Sequence, residues 1–457
     1  MTDDGSLTKK LQPTFDKITE TATSRFGSKS EVQPDRAITP PDQPVVIVGA
    51  GLAGLACATS LYAAGIPVRL VEAGDDVGGR VRTDSIDGFL VDRGFQVALT
   101  AYPEMHRQLD MKLLDLQAFD PGAVVWRDGK ASTVSDPFRK PSTVVSTALA
   151  PVGSLRDKLR IAGLRRRVRR AHPADLLRGD DVPTVDALRR TGFSEKMIER
   201  FFTPLVGGIQ LDPDLHDSRR MFDVIFRMLA DGDSAVPVDG MQAIPHQLAA
   251  MLPAGTIRFD AAAVAVHGDA VELADERIKA SAVVVATDGP AASKLLDLPP
   301  VESKSVASVA FAADEAPLST KCVVLDGTGE GPVLNVALMS NVAPSYAPPG
   351  RHQIVAAMPG LGDGATGEDD AVHIATDQLR GWWGEQVHSW EVLAVHRIAH
   401  GQPSQRAPFS PRRRVDLGDG RYVCGDHRDT ASIQGALFSG RRTAKVILRN
   451  FTGAATT

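Results

Sequence analysis

The sequence predicts an α/β fold in which a parallel sheet is assembled from separated segments of one chain, with a mixed α+β domain inserted between them. Three observations carry this. Val45-Val46-Ile47-Val48 is a continuous apolar run, as a parallel strand buried on both faces requires, and Gly49-Ala50-Gly51-Leu52-Ala53-Gly54 and an alanine-rich helical stretch follow it at once. A second wholly apolar strand, Ala282-Val283-Val284-Val285-Ala286, stands far along the chain. A short strand, Tyr422-Val423-Cys424, precedes a turn and a helix over 435–448 near the end.

Composition narrows the function classes. At 457 residues the length suggests two to four domains, taking roughly 100–200 residues per domain, or one large discontinuous fold. Apolar residues are 43% and charged residues 23%, which excludes wholesale disorder. The balance of 51 basic against 56 acidic residues, a net charge of −5, argues against a nucleic-acid binder. Cys57, Cys322 and Cys424 make neither a disulfide framework nor a metal-ligand spacing, so a reducing, cytoplasmic setting is expected. No apolar run is long enough to span a bilayer and the first 40 residues show no secretory signal, so a soluble or peripheral protein is expected. Residues 1–40 read as an N-terminal extension. Leu7, Leu11, Phe15, Ile18, Ala22 and Phe26 recur there at helical spacing, which suits a docked helix or a tail, or else a helix that binds a membrane or a partner.

The first strand, turn and helix form a βαβ unit whose second strand, Val68-Arg69-Leu70-Val71, ends in Glu72. Gly49 permits a tight turn, Gly51 lets backbone approach a pyrophosphate, and Gly54 lets helix and strand pack closely. The helix mouth at Leu52 and Ala53 supplies unpaired N–H groups and a positive dipole end for the phosphates. Glu72, 23 residues past Gly49, is placed to accept from a ribose hydroxyl, with Ala73 beside it. An acid there disfavours a 2′-phosphate, so NAD or FAD fits better than NADP.

After Glu72 the chain reads Ala73-Gly74-Asp75-Asp76-Val77-Gly78-Gly79-Arg80-Val81-Arg82-Thr83, then Gly88-Phe89-Leu90-Val91-Asp92-Arg93-Gly94. This resembles the flavin-containing superfamily of amine oxidases, protoporphyrinogen oxidases and phytoene-type carotenoid desaturases. The resemblance implies FAD, with Gly79 and Arg80 near its phosphates and Gly94 to Gln96 beside the isoalloxazine ring. Near the end, Arg421-Tyr422-Val423-Cys424-Gly425-Asp426 and Thr430-Ala431-Ser432-Ile433-Gln434-Gly435-Ala436 resemble the family's closing motif. Asp426, after Gly425, is then expected to reach a ribityl hydroxyl. Gly435-Ala436 is expected to open a helix whose free N–H groups stabilise negative charge on the ring, with Ile433 just before it also expected to contact the cofactor. Val236-Pro237-Val238-Asp239-Gly240-Met241 resembles a further family turn, with Asp239 replacing a glycine, and Val264 matches the position whose backbone pairs with adenine. The resemblance spans residues 45–451 and is loose over 121–235 and 301–405. It implies a discontinuous Rossmann-type FAD-binding domain in three segments (41–120, 236–300 and 406–457) and an inserted mixed α+β substrate domain (121–235 and 301–405).

Two departures separate the branches. The amine-oxidase branch carries a lysine on the strand entering the substrate domain, and Ala307 takes that place here, with Lys304 three residues away. That branch also sets an aromatic residue before the final helix, where this chain has Ser432. No Ser/His/Asp or Cys/His set and no metal cluster is expected; His396 and His400 read as structural. No catalytic residue is assigned, although Gln96, His400 and Gln402 are candidates for the substrate pocket. Residues 221–229 read as a core helix or a pocket wall. The basic run over 154–170 reads as a solvated face, with contact to an anionic membrane as the alternative. Gly362-Asp363-Gly364-Ala365-Thr366-Gly367 repeats the glycine spacing, but Pro359 and the acids after it mark a surface loop. The expectation is a non-covalent FAD oxidoreductase acting on a lipophilic, unsaturated substrate, with oxygen or a quinone-like acceptor. An amine or amino-acid oxidase, and a redox-neutral isomerase or lipid-binding flavoprotein, are the alternatives.

Overall fold

The computed structural model describes residues 41–135, 139–140, 147–148 and 150–453. The N-terminal extension therefore lies outside the described residues.

A six-stranded sheet runs in the order Ile257–Arg258, Val68–Val71, Val45–Val48, Ala282–Val285, Arg421–Val423, Asp416–Gly418. The first five strands pair in parallel, and only Asp416–Gly418 runs antiparallel at the edge. Val45–Val48 and Ala282–Val285 are buried along their whole length, which is why they read as unbroken apolar runs. The edge strands Ile257–Arg258 and Asp416–Gly418 carry no such run and escape the sequence reading. One face is covered by the helices Leu52–Ala63 and Ile433–Phe451, which cross at small residues. A Cβ on Gly440 would sit 2.1 Å from the Ala53 carbonyl oxygen, so the last helix can lie on the first only with glycine there. A three-stranded antiparallel flap, Ala263–Val266, Ala270–Leu273 and Arg277–Lys279, packs against the other face.

A seven-stranded sheet runs Glu391–Pro403, Ser303–Ala313, His352–Pro359, Asn335–Leu338, Val323–Asp326, Gly122–Arg127, Lys130–Ser135. All its pairings are antiparallel except that of Val323–Asp326 with Gly122–Arg127. Helix Glu368–Trp383 buries Ala371, Ala375 and Leu379 against one of its faces. Against its far end pack the helices Leu155–Arg170, Thr184–Thr191 and Arg219–Asp231 and a ten-residue π-helix, Ile198–Gly207, with Pro204 inside it. The strands of the first sheet fall in 41–120, 236–300 and 406–457, and those of the second in 121–235 and 301–405.

Candidate cofactor and substrate site

A cavity of about 1460 Å³ lies between the two sheets. One end is the first βα turn. Gly49 has φ +104°, a left-handed conformation that glycine alone takes without strain. A Cβ on Gly51 would meet nothing nearer than the Gly78 carbonyl oxygen at 3.9 Å, so the turn is open on the side where a phosphate would lie. Gly78 φ is +117°, and its N–H donates to the Ala50 carbonyl (2.9 Å), which lays the second glycine pair against the first turn. Glu72 accepts from the Ala50 N–H (2.6 Å) through Oε2 and from the Gly74 N–H (2.9 Å) through Oε1. These bonds hold its carboxylate at the cavity wall, beside Ala73. Leu52, Ala53 and Gly79 line the same end, and Val264 lies at its rim, 61% exposed.

The other end is built from the closing motif, residues 425–436. Arg80 donates through Nη2 to Asp426 Oδ1 (2.8 Å) and through Nη1 to the Gly401 carbonyl (2.8 Å). One guanidinium thus joins the segment after the second glycine pair to the closing motif and the second sheet. Gly425, Asp426, Ser432, Ile433 and Ala436 line the cavity there. Tyr102, whose hydroxyl bonds with Ser432, lines it too, and burial pushes its phenol up to about 12.

Two residues of the expected cofactor motifs do not line the cavity, Gly54 in the packing role read for it and Gly435 against its expected place at the ligand. Gly54 is a packing glycine, since a Cβ on it would stand 2.0 Å from the Gly49 carbonyl oxygen. Gly435 likewise lies against the Thr430 carbonyl, 1.9 Å from where a Cβ would be, and its N–H donates to Ser432 Oγ (3.0 Å). Ser432 is the N-cap and its carbonyl takes the Ala436 N–H, so the helix opens at Ile433. Its unpaired donors are Ile433 and Gln434, not Gly435 and Ala436. Serine at the capping position is the sequence signal that marks this start.

The middle of the cavity is apolar. Phe201, Leu205, Ile209 and Leu211 come from the π-helix and the turn after it, and Ile225, Phe226 and Leu229 from the Arg219–Asp231 helix. Met221 and Phe222 of that helix are buried in the core instead, so it serves as both core and wall. Nothing local in the sequence signals the π-helix, although such insertions recur at functional sites. Val306, Ala357 and Ile398 of the seven-stranded sheet close the opposite side. Val306, not Ala307, therefore faces the cavity. Ala307 points the other way, into the core beneath helix Glu368–Trp383, because successive strand residues alternate between faces. Lys304 is bound to Asp217 and to the Gln210 carbonyl, and only 13% of its side chain is exposed. Gln96 and Gln402 line the cavity. Gln96 donates to the Arg80 and Arg93 carbonyls (2.7 and 2.8 Å) and Gln402 to the Ile209 carbonyl (2.8 Å). His400 is exposed and does not line it. His396 lies 3.6 Å from Asp84, and burial lowers its pKa. Residues 362–367 form a loop before helix Glu368–Trp383 and take no part in the cavity. Among the described residues no group of three or more His, Cys, Asp or Glu could hold a metal, and no helix is long and apolar enough to cross a membrane.

Comparison with known proteins agrees with this geometry. The model of the flavin containing amine oxidoreductase family matches residues 52–448, and the chain belongs to that family. It is 32% identical over 175 residues to coproporphyrinogen III oxidase of Propionibacterium freudenreichii subsp. freudenreichii, covering 36% of this chain and 31% of the relative. It is 26% identical over 183 residues to protoporphyrinogen oxidase 2 of Arabidopsis thaliana, covering 39% and 35%. The matched stretch thus spans about a third of each of these relatives. Cyclohexylamine oxidase of Brevibacterium oxydans IH-35A shares the fold, with a TM-score of 0.67 at 16% identity over 90% of this chain and all of that one. The protein is thus a member of the flavin containing amine oxidoreductase family.

The residues present fit a flavin dinucleotide. The open face of Gly51, the Leu52 helix mouth, the Glu72 carboxylate, Asp426 and the Ile433 helix mouth line one continuous cavity. At about 1460 Å³ it exceeds the roughly 300–1,000 Å³ of an ordinary small-molecule site, which leaves room for a substrate beside a cofactor.

Proposed function

We propose that this protein holds FAD non-covalently and removes hydride from a lipophilic, unsaturated substrate, with the electrons passing on to oxygen or a quinone-like acceptor. The observation that carries this reading is the continuity of the cavity, from the Gly51 turn and the Ile433 helix mouth into an apolar chamber walled by Phe201, Leu205, Phe226 and Leu229. Bound FAD supplies the two-electron acceptor. The chain's part is to hold it, to exclude water and to orient the substrate. A C–H bond next to a conjugated system releases hydride without a strong base, and the wall formed by Val306, Ala357, Ile398 and Gln402 brings no imidazole, carboxylate or amine. The N-terminus of the last helix favours negative charge at its end of the cavity. Cys57, Cys322 and Cys424 are buried and none lines the cavity, which supports non-covalent binding. The names of the two relatives above favour a large conjugated substrate over an amine, and Val306 and the engaged Lys304 agree.

The test is spectroscopic. The purified protein is expected to be yellow and to release FAD stoichiometrically on acid treatment. Under anaerobic conditions porphyrinogens or polyenes should bleach it and a panel of amines should not. Bleaching by amines alone would overturn the substrate class. Product formed from a lipophilic substrate without any net flavin reduction would replace oxidation with isomerisation.

A further inference from the structure

We propose that the outward face of the Leu155–Arg170 helix is a docking surface for anionic lipid, placed so that substrate enters the chamber from the bilayer. The helix buries Asp157, Leu164 and Val168 on one side. Asp157 closes a capping box with Ser154 and also accepts from the Ser194 N–H (2.9 Å), and Arg167 grips Asp223 with two bonds (2.7 and 2.6 Å), so the orientation is set. At 3.6 residues per turn the side opposite the buried one carries Leu155, Leu159, Arg166 and Arg170.

Leu155 and Leu159 are 64% and 67% exposed, the most exposed large apolar side chains among the described residues. They neighbour each other at i, i+4, and both line the mouth of the cavity, as does Lys158. Arg156 stands beside them, and Arg166 and Arg170 follow about two and three turns further along the helix; none of the three makes an ion pair with any described residue. An isolated leucine on a surface needs no explanation. Two adjacent leucines at a cavity mouth, with unpaired guanidinium groups on the same face, match a membrane interface, where apolar side chains enter below the headgroups and cations meet phosphate. The positive charge commits the partner to an anionic lipid surface rather than to a neutral one or to a basic protein. Only the route of the substrate rests on the proposed function; the docking itself does not.

The test is co-sedimentation of the full, flavin-loaded chain with vesicles. Binding is expected to vesicles of mixed phosphatidylglycerol and phosphatidylcholine, weakly or not at all to phosphatidylcholine alone, and to fall as salt rises. Leu155→Glu with Leu159→Glu should abolish it. Arg166→Glu with Arg170→Glu should weaken it by at least about fivefold per residue changed. Flavin content and melting temperature serve as the folding check for both variants. Equal binding by either double variant and the parent, or no binding to the anionic vesicles, overturns the proposal. So does a change of oligomeric state in the leucine variant with vesicle binding retained, which would make the face a contact between copies of the chain. Vesicle binding requires no turnover, and flavin bleaching requires no vesicle, so the failure of one reading is distinguishable from the failure of the other.

Discussion

At the scale of single residues, charge and burial decide the outcome. Glu72 is held by two backbone N–H groups with its carboxylate at the cavity wall. A hydrogen bond to a charged group contributes about 1.5–3 kcal/mol, so Glu72→Ala is expected to weaken FAD binding roughly ten- to a hundredfold, measurable by flavin titration of the stripped protein. His427 is buried, and neither ring nitrogen has a partner among the described residues. Burial lowers its imidazole to about 4, against an ordinary value near 6.5. The unfolded chain therefore takes up a proton before the folded one, and stability falls as pH drops from about 6.5 towards 4, by up to about 3 kcal/mol. Asp92 and Asp429, which burial raises to about 6, act in the opposite sense, since the folded state takes up their protons first. Substitution isolates the histidine: the melting-temperature advantage of His427→Leu over the parent should grow as pH falls through that window. A constant difference would show that His427 does not titrate this way.

At the scale of elements, backbone approach and capping dominate. Gly440→Leu would drive a side chain into the Ala53 carbonyl and part the last helix from the first. The expected result is flavin-free or insoluble protein, read from absorbance and solubility. Gly163 is the contrasting case. It sits mid-helix with nothing within 4 Å of a Cβ, so Gly163→Ala should raise stability by about 0.5–1 kcal/mol in denaturant unfolding. Ser432 caps the last helix, and Ser432→Ala should cost about 1 kcal/mol. The same capping logic explains why the helix mouth lies at Ile433. Glycine and alanine content drew attention to 435–436, but a serine oxygen, not a glycine, sets where a helix begins.

At the scale of the whole molecule, the first βα unit and the closing motif, more than 330 residues apart, meet around one cavity, and Arg80 ties them through Asp426. A ligand gripping both ends stabilises the folded state by mass action, about 4 kcal/mol when free FAD is a thousandfold above its dissociation constant. Stripped protein should accordingly melt at a lower temperature, and added FAD should restore it in a concentration-dependent way. How much of this was legible beforehand follows from the range of each interaction. The first βα turn, the acid after the second strand and the buried parallel strands are dictated within about 30 residues, because steric limits on a tight turn, the demand for open backbone and two-sided burial leave few residue types that serve. Those features stand in the order of amino acids alone. The tertiary structure decided the rest. It set Val306 rather than Ala307 toward the cavity, because a shift of one residue in strand register reverses every side chain. It wound residues 198–207 into a π-helix, bound Lys304 to Asp217, and turned Leu155 and Leu159 outward at the cavity mouth. Each of these depends on packing against segments far away in the chain, and no local pattern encodes which of two faces such a neighbour will cover.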